Sequence, residues 1–249
     1  MIDEIHVINL ETSVDRFRLF QERNSHLKGV VRFAAVDGRS LDRQCLIADG
    51  LITEDLPYQP GSLGCSLSHI NVWKKAVTEN RVITAFEDDT ISTFRFRERA
   101  ESVAARLNYD FDIIIWGFDY TPKFIWVDFG FSKAKFEFYD RKWDGGGAEF
   151  QAAEFCPAPL KIAHSFGLFG YSVSPRGARS LLEYCLPLRK RVIQFPGAGV
   201  AINDVAIDCT MCGVYASMAS FVCVPPLVIH DFKLASDRIR RDEHSRVQG

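Results

Sequence analysis

No apolar run in the 249-residue chain approaches the ~20 residues that a membrane-spanning helix needs, and the longest, 221–229 (FVCVPPLVI), is interrupted by two prolines. Neither sign of charge is in excess: 30 Lys and Arg stand against 32 Asp and Glu, a formal net charge of -2. The basic footprint of a nucleic-acid-binding domain is therefore missing. An even set of cysteines is missing too. The seven present, scattered from 45 to 223, suit reduced thiols better than a disulfide framework. Cys209 and Cys212 have C-x-x-C spacing but no second pair or nearby His to complete a zinc site, so they read as small buried residues on a helix. The start, MIDEIHVINL, has acids at 3 and 4 where a signal peptide has a basic region, which leads us to expect a cytoplasmic protein. No internal repeat is visible. What is there is ordinary globular material, 47% hydrophobic and 25% charged, which excludes disorder, collagen and coiled coil for the whole chain. At this length roughly 70–75% of the extended surface is buried on folding without a metal or disulfide staple.

Hydrophobic patterning divides the first half into alternating elements. Ile5–Leu10 reads as a buried strand, followed by a helix from Thr12 and Ser13 to about Leu27. Val30–Val36 reads as a strand stopped by the turn Asp37-Gly38. Residues 39–60 are mixed, with Pro57 and Pro60 as breakers. Ser62–Glu79 has helical period, Val82–Phe86 is a strand running into Glu87-Asp88-Asp89, and Phe111–Trp116 is a strand ending at Gly117. Such alternation implies an α/β domain with a mostly parallel central sheet and helices on both faces. Ligands of such sheets bind beyond the carboxyl ends of the strands, where the acids at 87–89 lie.

Residues 120–165 break the pattern, with many of the 20 Phe of the chain, Tyr120, Trp126, Tyr139, Trp143 and Gly145-Gly146-Gly147. Short strands and a mobile glycine loop are expected there. A strand over Phe166–Val173 is followed by Ser174-Pro175, an N-cap and first-turn proline for a helix to about Leu186. Asn203 is expected to cap a helix running to Cys212. Pro225-Pro226 put the strand Phe221–Ile229 at an edge or split it. The segment 238–249 reads as a polar tail whose arginines and acids permit at most weak, salt-sensitive adsorption to an anionic membrane.

Three features carry possible chemistry. Glu87, Asp88 and Asp89 repel one another unless they face water or a cation, and Mg²⁺ or Mn²⁺ is the favourable cation, because these ions take oxygen ligands and also hold substrate phosphates. An isolated acidic turn would be plain solvated surface; placement at a strand's carboxyl end argues for more. The second is Gly61-Ser62-Leu63-Gly64-Cys65-Ser66-Leu67-Ser68-His69, whose glycines and hydroxyls open a helix able to receive an anion on its first N–H groups; serine caps and a hydrogen-bonded His are the ordinary alternative. The third is Asp204 and Asp208, four apart on the expected helix, where like charges are mildly destabilising unless they face a cation or substrate hydroxyl. His230, just past the last strand, is a possible metal ligand.

In order along the chain, these pieces resemble glycosyltransferase family 25. The resemblance rests on Val7-Ile8-Asn9-Leu10 with Asp15-Arg16, on Ala34-Ala35-Val36-Asp37-Gly38, on the Gly61–His69 element followed by Trp73-Lys74-Lys75-Ala76, and on Glu87-Asp88-Asp89. Gly170-Tyr171-Ser172-Val173-Ser174 with Gly177-Ala178 adds a second block; Asp204, Pro225-Pro226-Leu227 and Ser236-Asp237 fit more loosely.

The resemblance implies a GT-A type fold over residues 1–249, with a nucleotide-sugar-binding half at 1–119 and an acceptor-binding half at 120–237. It implies inverting transfer of a hexose, often galactose, from a UDP-sugar to a glycan acceptor such as a lipooligosaccharide, at the inner membrane face. In that picture Asp88, Asp89 and His230 hold Mn²⁺ or Mg²⁺; Asn9, Arg16, Asp37, Ser66, His69 and Glu87 bind the donor; and Asp204 or Asp208 is the general base that inversion requires. Phe and Trp residues of 120–143 would stack on sugar faces. A metal-dependent phosphoester hydrolase, or a binding module that keeps the fold without catalysis, are the other readings. Oligomeric state is left open.

Overall fold

The computed structural model describes residues 2–119, 124–138, 147–195 and 200–231. The elements, in order, are β1 (Ile5–Asn9), α1 (Val14–Arg23), β2 (Val30–Ala34), α2 (Arg43–Ala48), α3 (Pro60–Glu79), β3 (Ile83–Glu87), β4 (Thr90–Ser92), α4 (Phe96–Arg106), β5 (Ile113–Gly117), β6 (Phe124–Asp128), β7 (Lys133–Glu137), α5 (Gly147–Ala152), β8 (Ala158–His164), β9 (Gly170–Val173), α6 (Pro175–Cys185), β10 (Val192–Phe195), β11 (Val200–Asn203), α7 (Ile207–Met211), β12 (Ser220–Val224) and β13 (Val228–His230).

One nine-stranded sheet, in the order β2-β1-β3-β9-β5-β12-β8-β6-β7, organises the domain. Six strands, β2, β1, β3, β5, β12 and β6, run one way; β9, β8 and β7 run against them. Most strands thus share one direction, as expected, but the sheet is mixed, because β9 pairs antiparallel with both β3 and β5 and fills the gap between them. Buried strands send alternate side chains to two cores. Ile113 and Ile115 of β5 face the core shared with α3, α6 and α7, while Ile114 and Trp116 face the one built with α1 and α4. Phe86, Phe96 and Trp116 stack edge to face in the second core.

Several boundaries depart from the pattern in the sequence. Pro60 does not break α3 but sits in its first turn, where a missing N–H costs nothing. α1 stops at Arg23, short of Leu27, and Ser13 gives it no side-chain cap. α2 lies inside the mixed stretch 39–60, capped by Asp42 Oδ1 accepting from Gln44 and Cys45 N–H. α6 is capped as expected, Ser174 Oγ accepting from Gly177 N–H. The prolines at 225 and 226 do split the last strand, yet β12 is interior, between β5 and β8. Asn203 caps nothing: it ends β11, and α7 starts only at Ile207. Phe124, Trp126, Phe129, Phe131 and Phe136 form the β6–β7 hairpin at the far edge of the sheet from β1. Tyr120, Tyr139, Trp143, Gly145, Gly146, Ser236, Asp237 and the tail 238–249 lie outside the described residues. Gly147 opens α5.

Candidate active site

The carboxyl ends of β1, β2 and β3 border a cleft of about 210 Å³. Its floor comes from the segment after β2, Ala35 to Arg39; one wall comes from α3 through Gly61, Cys65, Ser68 and His69; the other comes from Glu87, Asp88 and Asp89 with Arg16, Phe169 and His230. The α3 wall stands close because two glycines permit it. A Cβ on Gly64 would meet the Val36 carbonyl oxygen at 2.5 Å, and one on Gly38 would meet that of Pro60 at 1.7 Å. Ser68 Oγ then locks the contact, accepting from Val36 N–H and donating to the Gly64 carbonyl.

Asp88 and Asp89 are buried at 8% and 6% exposure, so their charges need partners. Arg16 supplies both: its Nε and Nη2 reach Asp88 Oδ1, and Nη2 lies 2.8 Å from Asp89 Oδ2. Asn9, buried behind them, donates from Nδ2 to Asp88 Oδ2 at 2.6 Å. His230 is brought in by the pairing of β13 with β4, which sets it opposite Thr90, and its Nε2 lies 3.2 Å from Asp89 Oδ2. Burial pushes the Asp88 carboxyl above its ordinary pKa despite Arg16 and Asn9. Burial acts upward on Asp89 too, but the hydrogen bond and charge of His230, with Arg16, outweigh it and hold Asp89 low. Burial would lower His230, and Asp89 raises it on balance.

A hard divalent cation fits this donor set at Asp89 and His230. Asp89 Oδ1 is buried without a hydrogen-bond partner among the described residues; carboxylate oxygen suits Mn²⁺ or Mg²⁺, and the softer imidazole favours Mn²⁺ of the two. Asp88 is more committed, one oxygen holding Arg16 and the other Asn9.

The structure thus gathers Arg16, Asp37, His69, Glu87, Asp88, Asp89 and His230 around one cleft. Asn9 stands behind it as a support for Asp88 rather than in its lining. Ser66 lies outside the cleft lining: it is fully buried and its hydroxyl donates back to the Ser62 carbonyl, so Ser68 is the serine that faces the cleft. Asp204 and Asp208 do not share a helix, since Asp204 precedes α7 and Asp208 lies inside it, and neither lines the cleft. Asp204 is 1% exposed and both its oxygens are taken, Oδ1 by Tyr58 at 2.5 Å and Oδ2 by Thr210 at 2.7 Å. Asp208 is half-buried, and its Oδ2 accepts from Gly167 N–H at 3.0 Å. Gly167 is two residues before Phe169 of the cleft wall, so Asp208 holds the segment that leads into that wall. Arg39, Cys65, Ser68 and Phe169 are cleft residues that sequence reasoning gave no separate role; the signal for Arg39 was its place directly after the Asp37-Gly38 turn. Cys209 and Cys212 are free buried thiols at α7, as expected.

A family model described as glycosyltransferase family 25 (LPS biosynthesis protein) matches residues 2–206. A glycosyltransferase 25 family member of Anopheles gambiae is 28% identical over 195 residues, which are 73% of this chain and 29% of that protein. One of Aedes aegypti is 28% identical over 203 residues, 77% of this chain and 29% of that protein. Procollagen galactosyltransferase 1-A of Xenopus laevis is 26% identical over 197 residues, 73% and 28% respectively. The chain therefore spans less than a third of the length of these relatives.

Proposed function

The chain belongs to glycosyltransferase family 25, and from that membership we propose that it moves a hexose, galactose first among candidates, from a UDP-sugar to a glycan acceptor, with inversion, on a GT-A type fold. The observation that carries this reading is the buried Asp88–Asp89 pair, bridged by Arg16 and flanked by His230 at the carboxyl end of β3. Galactose as the donor sugar follows the name of the Xenopus relative. A lipooligosaccharide or other surface glycan, met at the inner membrane face, is the acceptor class we favour.

The donor's nucleoside would lie along 35–39, with Ala35 and Val36 against the base and Asp37 accepting from ribose hydroxyls. Its diphosphate would face Arg16, Arg39 and the N-terminus of α3, where the helix dipole favours anions. Asp89 and His230 would hold Mn²⁺ or Mg²⁺, an ion that, when bound, offsets negative charge on the departing UDP. Asn9 and Arg16 keep Asp88 and Asp89 in place while the donor binds. Inversion takes one displacement: the acceptor oxygen bonds to the anomeric carbon, the bond to UDP breaks, and the hydroxyl proton leaves to a base. Of the two acids first considered for that base, Asp208 is the better placed. It is half-buried, its oxygens accepting from the backbone N–H groups of Gly167 and Cys209, whereas Asp204 is 1% exposed and its oxygens serve Tyr58 and Thr210.

A panel of UDP-sugars with Mn²⁺, read by thermal shift and by UDP release with and without glycan acceptors, tests the reading. Acceptor-stimulated UDP release is expected with one hexose donor. Phosphate release from simple phosphoesters without any acceptor would replace it with hydrolysis, and donor binding without turnover would leave only a binding module.

A further inference from the structure

We propose that Cys65, His69 and Glu87 form a second metal site in this chain, one selective for a thiophilic divalent ion such as Zn²⁺ and separate from the oxygen-rich pair Asp88–Asp89. One ligand atom from each of the three residues lies within 4.8 Å of the other two. Tetrahedral zinc, with Zn–S of ~2.3 Å and Zn–N or Zn–O of ~2.0–2.1 Å, needs ligand atoms ~3.3–3.6 Å apart. His69 Nε2 and Glu87 Oε1 are already 3.5 Å apart, so a small rotation of Cys65 closes the set.

Each ligand is positioned by something independent of a metal. Cys65 and His69 are four residues apart on the 20-residue α3, which puts them on one face one turn apart. Glu87 ends β3, the strand against which that helix packs. His69 is 1% exposed, and its Nδ1 lies 3.1 Å from the Tyr171 hydroxyl on β9, which leaves Nε2 facing Glu87. Metal-ligating histidines are oriented in this way, one ring nitrogen held by a hydrogen bond so that the other is presented to the ion. Cys65 and Glu87 are half-buried and border the cleft, so a fourth coordination position opens toward it. Three protein ligands with an open fourth position mark an exchangeable ion rather than a closed structural zinc.

The donor chemistry sorts the two positions. A thiolate with an imidazole and one carboxylate binds Zn²⁺ far better than Mg²⁺ or Mn²⁺, whereas Asp89 and Asp88 favour the hard ions. This site does not depend on the glycosyl-transfer reading, and its test reads binding directly.

Metal-free protein titrated with Co²⁺ is expected to develop a thiolate-to-cobalt charge-transfer band in the near ultraviolet, displaced by one equivalent of Zn²⁺ and not by Mg²⁺. Cys65→Ser should abolish the band, and Asp89→Asn should leave it. Glu87→Gln should keep it while weakening Zn²⁺ binding, measured against a chromophoric chelator, at least tenfold. Tyr171→Phe should weaken binding by the ~10–100-fold typical of losing a ligand's hydrogen-bonded support. No band in the wild-type protein overturns the proposal. So does a band that survives Cys65→Ser, which would come from another thiol such as exposed Cys45 or Cys156. Unchanged zinc affinity in Glu87→Gln, in protein whose circular dichroism matches wild type, overturns it as well and leaves a hydrogen-bonded triad only.

Discussion

Two buried carboxylate sites in this chain are built from opposite kinds of partner. Asp89 is met by cationic groups, Arg16 and His230, and keeps one oxygen without a hydrogen bond among the described residues. Asp204 is met by neutral hydroxyls, Tyr58 and Thr210, which use both its oxygens, and Thr210 also contacts Tyr58 at 2.7 Å. A carboxylate held by charge stays ionised and can take a further cation. One saturated by hydroxyls ties three pieces of chain together: the segment before α3, the end of the β10–β11 hairpin, and α7. The same residue type is open to a cation in one place and a strut in the other, and only the partners distinguish them.

The largest expected effect tests Asp208, the strut's neighbour on α7. If Asp208 takes the acceptor proton, Asp208→Asn should lower acceptor turnover by ~10²–10⁴-fold with donor affinity nearly intact. Asp204→Asn should leave turnover within a small factor. Equal losses in the two variants, in steady-state kinetics on matched protein, would erase the distinction.

Next comes the charged site. Asp89→Asn should cost ~10²–10³-fold in turnover, as for losing one contact to a developing charge. EDTA should abolish UDP release and Mn²⁺ restore it. Full activity in EDTA would remove the metal from Asp89 and His230, whatever happens at Asp208.

The strut should answer to stability instead. Tyr58→Phe leaves Asp204 Oδ1 buried without its donor, at a cost of about 1–3 kcal/mol. Urea unfolding should show a lower midpoint at unchanged slope. A turnover loss without a stability loss would move Asp204 back into the chemistry.

These two sites also differ in how far the sequence foretold them. The acids at 87–89 follow an apolar strand, a signal contained in a few consecutive residues, and the β1-α1-β2 alternation then fixes which strand ends surround them. Arg16 and His230 could be assigned to the same cleft only by resemblance, since one lies on α1 and the other arrives through pairing of β13 with β4. Asp204 was misread because its context is non-local. Val200–Asn203 pairs with Val192–Phe195 and so ends as a strand where a local reading of Asn203 sees a helix cap. The antiparallel β9 escaped for the same reason: its partners, β3 and β5, are remote in sequence, and nothing in Gly170–Val173 itself states a direction. α2 was within reach, because Asp42 before Arg43-Gln44-Cys45 is an N-cap signal that the neighbouring prolines obscured. Ser66 and Ser68 could not be told apart from the motif alone; the approach of Gly64 to Val36 decides which faces the cleft.

The smallest effect, and the one that compares the two sites most directly, is the sign of the pH dependence of stability. At Asp89 the net shift is downward, so the native state binds fewer protons than the unfolded chain between its lowered pKa and the ordinary one. That stability is present above the unfolded pKa and is lost as pH falls through the folded one. At Asp204 the shift is upward, with burial the largest cause, opposed by the hydrogen bonds of Tyr58 and Thr210 and the charge of Arg191. The native state there binds more protons than the unfolded chain between the ordinary pKa and the raised one. Asp204 therefore costs stability above its folded pKa, and that cost is relieved as pH falls through the window. Urea titrations at steps through the acid range should show Asp89→Asn losing stability relative to wild type less at low pH than at neutral pH, because the wild type forfeits its Asp89 contribution on acidification. The advantage of wild type over Asp204→Asn should instead grow as pH falls, since only the wild type gains from protonating a buried carboxylate. Parallel pH profiles for the two variants would mean that the cationic and the hydroxyl partners hold their carboxylates alike, and the division between ligand and strut would fail.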